Sequence, residues 1–211
     1  MKYLSIVIII LIPLAIIVTN LSFLALNYNF YLKIYRQQDI YSNFYNANTL
    51  KNETGNLLGY FRGKNMLDYN FYSNQAVLHL KDVKKLLSAT QVAALCSIIS
   101  LTALTAYLIL KKQGKTAFKS YLTGSIITLA LTIISLIFIV LDFSNIFFGF
   151  HLMFFTNNYW LFEENDNLIK MFPQRFFISF ANYLAANIIV TALLILLIVF
   201  SVKKIHAKPD D

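Results

Sequence analysis

The sequence predicts an all-α membrane protein, four transmembrane helices carrying an extracytoplasmic helical cap. Three observations lead there. Of 211 residues, 58% are hydrophobic and 13% charged, with a mean hydropathy of +0.61, whereas soluble domains carry roughly 25% charged residues. The apolar residues gather in four runs long enough to cross a bilayer, which takes about 20 residues of helix. The two long segments between runs, 27–89 and 143–177, are rich in Tyr, Asn, Phe and Leu. That composition describes a folded layer resting on the membrane better than a disordered linker.

The first run, 4–26, is interrupted only by Ser5, Pro13, Thr19, Asn20 and Ser22. It follows Met1-Lys2 but is longer than a signal-peptide core, and no Ala-x-Ala-like cleavage site follows it, so an uncleaved helix is expected. The polar segment after it holds eight tyrosines (28, 31, 35, 41, 45, 60, 69 and 72), and Gly55, Gly59 and Gly63 are expected to break its middle. Asn52-Glu53-Thr54 has the form of a glycosylation sequon, a match common by chance. From Lys64 to Gln113 there is neither Gly nor Pro, and Val77, Leu80, Val83, Leu86 and Leu87 recur at helical spacing. An amphipathic helix is therefore expected to lead into the second span, 90–110. A very short loop around Gly114 separates it from the third span, 121–142, which ends at Asp142. The fourth span is 178–202.

Charge gives an orientation. Lys111, Lys112, Lys115 and Lys119 cluster in the short loop 111–120, and Lys203, Lys204 and Lys208 in the tail 203–211. Short Lys-rich loops stay in the cytoplasm, which predicts an N-in, C-in protein with both long segments outside. Segment 27–87 also holds eight Lys or Arg, but it carries four acids and is about as long as the rule's limit. The net charge of +8 thus belongs to membrane flanks, and no nucleic-acid partner is implied. Cys96, the only cysteine, excludes an intrachain disulfide and a cysteine metal cage. It reads as a small apolar packing residue.

Few residues offer chemistry. His79 and Asp82 lie three apart on a predicted helix and share a face, so a carboxylate stands where it would fix an imidazole tautomer. By spacing alone, a solvated surface His is the simpler reading. His151 sits in Gly149-Phe150-His151-Leu152-Met153-Phe154-Phe155, as fitting for a satisfied interfacial residue as for a base. Two histidines on one side of the membrane raise the weight of each. His206 lies in the Lys-rich tail and reads as solvated. Trp160 and the Phe run are interface residues by type, and Asp142 a helix-end solvation point. Asp166 and Arg175 are expected to pair across Phe172-Pro173 as a clamp. There is no Gly-rich phosphate loop, no zincin motif and no nucleophile elbow.

Two blocks carry a family likeness: His79-x-x-Asp82-Val83-Lys84, and Phe150-His151-x-x-Phe154-Phe155 followed by Trp160, Asp166, Leu168-Ile169, Phe172-Pro173 and Phe176-Phe177. Together with the order of the four spans, they closely resemble the lipoprotein intramolecular transacylase (Lit) family of Gram-positive bacteria. The resemblance implies a multi-pass protein of the bacterial cell membrane whose active site faces the outer leaflet. Its substrate would be a lipoprotein with an N-terminal diacylglyceryl-cysteine. The sn-2 acyl chain would move to the cysteine α-amine, giving the lyso-form, with no cofactor and no metal. His79 and His151 are then the expected catalytic residues. We assign His151 as base and His79 as its partner oriented by Asp82, with Lys84, Trp160, Asp166 and Arg175 orienting or binding substrate.

Two other readings compete. A non-enzymatic transport or accessory subunit with an outer ligand-binding cap calls for polar residues deep in the spans, where Thr105, Thr132, Asn187 and Thr191 are modest and uncharged. A bis-His haem protein needs both imidazoles to converge on one iron within the bundle, whereas these stand at its rim.

Overall fold

A computed structural model of the protein describes residues 2–206, with side chains through Lys203. The expectations for His206 and Lys208 therefore lie outside what it describes. Seven α-helices follow in order: α1 (Lys2–Ala25), α2 (Tyr28–Gln37), α3 (Ala47–Phe61), α4 (Asn74–Leu110), α5 (Gly114–Phe154), α6 (Asn167–Met171) and α7 (Gln174–His206), with one 3-10 turn at Ile40–Asn43. Among the described residues, α1, α4, α5 and α7 are long and apolar enough to cross a membrane. The chain is thus an all-helical, multi-pass membrane protein. At about 1.5 Å per residue, the 37 residues of α4 run well beyond a hydrocarbon core of about 30 Å. Its first turns, before residue 90, are the amphipathic lead-in that the sequence spacing predicts, and they continue into the apolar part without a break.

Two compact units divide the chain. The first comprises 1–21, 90–137 and 184–211. Its core is a seam of Ile8, Ile12 and Ile16 on α1, Leu108 on α4, Ala117 on α5, and Ile188 and Ala192 on α7. The four-residue spacing on α1 and α7 gives each one apolar seam. Helix α5 answers with small residues at the same spacing, the buried Ser120, Gly124, Thr128 and Thr132. A Cβ on Gly124 would come within 2.8 Å of Ile12, so glycine there is a condition of the α1–α5 approach. The Ser5 and Ser120 hydroxyls bond at 2.7 Å, and Asn20 Nδ2 donates to Thr191 Oγ1 at 3.3 Å. Ile98, Ile126, Leu131 and Leu197 stay exposed, as lipid-facing residues do. Cys96 is exposed as well, which corrects its expected packing role.

The second unit comprises 22–89 and 138–183. Its asparagines have local tasks. Asn27 caps α2 by accepting from Phe30 N–H, and Asn46 caps α3 by accepting from Asn48 N–H. Tyr31, Tyr35, Phe172 and Phe176 form an aromatic core with edge-on and tilted contacts between 5.4 and 6.4 Å. Gly55 and Gly59 do not interrupt the segment, contrary to expectation. Both lie inside α3, and a Cβ on Gly59 would strike the Asn65 amide. Gly63 alone, at φ +73°, takes the left-handed conformation that ends the helix. In α5 the helix breaks at Asp142 (φ −157°, ψ 76°) and restarts. The Asp142 carboxylate accepts from Asn145 N–H and Nδ2 at 3.1 and 2.6 Å, which is the work of an N-cap. Residues 143–154, expected as loop, are thus helical and carry His151 on their last turn, with Phe155 just past the helix end.

Candidate active site

Both histidines belong to the second unit, one from each long helix. His79 lies two turns into α4, whose start is capped by Ser73: its Oγ accepts from Ala76 N–H at 3.1 Å and donates to Asp166 Oδ2 at 2.6 Å. His151 lies on the last turn of α5, beyond the break at Asp142. The two imidazoles stack, with centroids 6.0 Å apart and planes 29° apart, and each is at least nine-tenths buried, at 8% and 7% exposure. The walls are aromatic. Phe155 stands 5.0 Å from His79 and 5.5 Å from His151, Phe162 meets His79 edge-on at 5.5 Å, Phe147 packs on His151 at 4.4 Å, and Trp160 stacks on it at 4.7 Å.

Hydrogen bonding fixes one of the two rings. His151 Nδ1 lies 2.7 Å from the Phe147 carbonyl. A carbonyl only accepts, so Nδ1 carries the proton and Nε2 keeps its lone pair. His79 Nδ1 is buried with no partner among the described residues. No hydrogen bond fixes the tautomer of that ring. His151 thus offers an acceptor nitrogen, Nε2. Both lie before or beyond the apolar spans 90–110 and 121–142. Burial holds His79 below its ordinary 6.5, at about 4, with His151 adding to the shift and Asp82 opposing it. Burial also lowers His151, against the hydrogen bond to Phe147. Both rings are neutral at pH 7, the state a base and an N–H donor require.

The other expected site residues divide. Trp160 belongs to the box. Asp82 does not touch His79; its carboxylate accepts from Asn157 Nδ2 at 2.9 Å and pairs with Lys85 at 2.9 Å. The expected orienting contact to the imidazole is therefore replaced by an anchor for the loop after α5. That loop is fastened twice to α4, on either side of His79. Asp82 holds Asn157, and Gln75 Nε2 donates to the Leu161 carbonyl at 2.6 Å and that of Tyr159 at 3.4 Å. Between the fastenings, Trp160 Nε1 donates to the Asn157 carbonyl at 2.9 Å, which sets the indole against His151. Lys84 lies over the Tyr60 ring at 4.1 Å, away from the imidazoles. Asp166 caps α6, accepting from Leu168 N–H at 2.7 Å. Arg175 donates to the Asp39 carbonyl and Asn43 Oδ1 at 3.5 and 3.4 Å. The expected Asp166–Arg175 pair does not form. Asn157, Gln75 and Phe162 were not picked out from sequence. The signal for Gln75 was present, four residues before His79 on the same helix face. A cavity of about 420 Å³ lies one helical turn from His79, lined by residues that include Ser73, Gln75, Phe162, Glu163, Asn165 and Asn167.

The sequence profile described as "Lipoprotein intramolecular transacylase Lit" matches residues 6–177. Among solved structures, the membrane integral lipoprotein intramolecular transacylase Lit from Bacillus cereus is similar at 24% identity, with a TM-score of 0.87 over 98% of each chain. Two structures of that protein with a single histidine substituted, by alanine or by arginine, are similar with TM-scores of 0.79, also at 24% identity. They cover 98% and 97% of this chain and 96% and 93% of theirs. The search of curated proteins returns no match.

Proposed function

This chain belongs to the lipoprotein intramolecular transacylase family and is an acyltransferase of the membrane, and on that premise we propose that His79 and His151 carry the reaction at the outer leaflet. The observation that supports this most directly is the stacked, buried pair itself, with the bond to Phe147 leaving Nε2 of His151 as an acceptor. The substrate is a lipoprotein whose N-terminal cysteine bears a diacylglyceryl group. Its neutral α-amine attacks the sn-2 ester carbonyl, and an oxyanion forms that His79 Nε2–H stabilises. His151 Nε2 takes the proton from the amine nitrogen and gives it to the departing glycerol oxygen. The ester C–O bond breaks and an amide C–N bond forms; one proton passes from nitrogen to oxygen. Ester and amine belong to one lipid-anchored molecule, so most of the acceleration comes from holding them together, an effect worth about 7–11 kcal/mol at best. The aromatic walls suit this, since they accept acyl chains and exclude water that would hydrolyse the ester.

The loop that bears Trp160 serves as the outer wall, and Asp82, Asn157 and Gln75 position it. Lys84, Asp166 and Arg175 act on structure in this reading, each bound elsewhere. The orientation that fits is N-in, C-in, with the Lys111–Lys119 cluster and the tail in the cytoplasm. Mass spectrometry of a reporter lipopeptide from cells with and without the protein tests the activity. Diacyl reporter becomes N-acyl, S-monoacylglyceryl product only where the protein is present; an unchanged diacyl form in both would end this reading.

A further inference from the structure

Around the histidines the walls are Phe147, Phe155, Phe162 and Trp160, which suit acyl chains but not a peptide. A lipoprotein substrate, the premise of the preceding reading, also has a polypeptide that continues past its lipidated cysteine. Each of its residues brings an N–H and a C=O that need partners once water is excluded. The polar way out runs along α4. Gln75 shares a helix face with His79, four residues apart, and lines the cavity of about 420 Å³ that also borders Phe162. Phe162 is the dividing wall, since the same ring packs on His79 at 5.5 Å. That volume lies within the range of binding clefts.

Several groups around this cavity keep hydrogen-bonding capacity. Gln75 spends its NH₂ on the 159–161 carbonyls and Asn167 spends its own on the Phe71 carbonyl, which leaves both side-chain oxygens as acceptors. The exposed Glu163 carboxylate and Asn165 amide make no hydrogen bond among the described residues. Asp166, by contrast, is held by Ser73 Oγ on one oxygen and Leu168 N–H on the other. The lining therefore offers mostly acceptors and two carboxylates, of which Glu163 is the one that makes no hydrogen bond among the described residues.

We infer that this cavity is a subsite for the polypeptide immediately following the acylated cysteine, and that Glu163 gives it a preference for basic over acidic side chains there. The full-length protein in detergent would be assayed on two synthetic diacylglyceryl-cysteinyl tetrapeptides, with Lys or Glu at the second and third positions. The unaltered protein favours the Lys peptide in kcat/KM by about two- to five-fold, as an exposed charge pair allows. Glu163→Lys reverses the order, whereas Glu164→Lys, at the exposed neighbour outside the lining, keeps it. The same ratio in the unaltered protein and Glu163→Lys overturns the subsite. So does an equal shift from both variants, which would mean bulk surface charge. Conversion of neither peptide by the unaltered protein ends the transacylase reading, and the subsite with it.

Discussion

At the scale of single residues, the proposed reaction depends on two neutral imidazoles with different jobs. His79→Ala and His151→Ala are each expected to lower conversion by about 10²–10⁴-fold, and the double variant to be hardly worse than the worse single one, because the two act on one proton transfer. Reporter conversion measured at equal protein level tests this; near-normal conversion by either single variant removes that residue from the mechanism. The pH profile follows from the lowered histidine values. Both rings stay neutral as pH falls through 7, so the acid limb of kcat/KM belongs to the substrate amine, with a midpoint near its ordinary value of about 7.7–8.0. A midpoint near 6.5 would mean that a histidine titrates at its usual value and that burial does not do what is described above. Asn157→Ala frees the wall that Trp160 provides and is expected to lower kcat about ten-fold, or ~1.4 kcal/mol. Trp160 is the only tryptophan, so its emission reports the surroundings of this one ring, which packs on His151 and Phe148. Emission that rises and falls with His151 protonation, and loses that dependence in Asn157→Ala, supports the positioning role; an unchanged titration contradicts it.

At the scale of elements, two local rules shape the protein. Helix α5 bends at Asp142 because its carboxylate satisfies Asn145 rather than continuing the ladder, and the restarted helix carries His151. In the first unit, α1 and α5 meet only because Gly124 leaves room for Ile12. Gly124→Leu is expected to lower the melting temperature of purified protein, since overpacking costs about 1–3 kcal/mol. Ile12→Ala placed on top should restore part of the loss. A Gly124→Leu protein as stable as the original would show that this contact yields at no cost.

At the scale of the whole molecule, the question is which side of the membrane holds the histidines. In a Cys96→Ser background, cysteines introduced as Asn46→Cys and Asn165→Cys should react with an impermeant thiol reagent in intact cells. Gly114→Cys and Ala207→Cys should react only after permeabilisation. The reverse pattern would invert the topology and take the outer-leaflet reaction with it. The prediction rests on eight lysines and arginines being discounted in segment 27–87, so it is a real test of the charge rule for a loop of that length.

Four apolar runs and the lead-in of α4 were legible in the sequence because each depends on short-range patterns: hydrophobic length, helical spacing and residue type. The family likeness was legible for the same reason, as two blocks of near neighbours. What only the tertiary structure decided is which polar groups meet. Asp82 stands at the right spacing to orient His79, yet it turns to Asn157, 75 residues away. Asp166 and Arg175 lie close in sequence but bind Ser73 and Asn43 instead. A carboxylate takes the donor that long-range packing brings within 3 Å, and sequence spacing restricts only its neighbours on one helix. The aromatic box has the same origin, since α4 and α5 each supply one imidazole and neither helix alone could bury it.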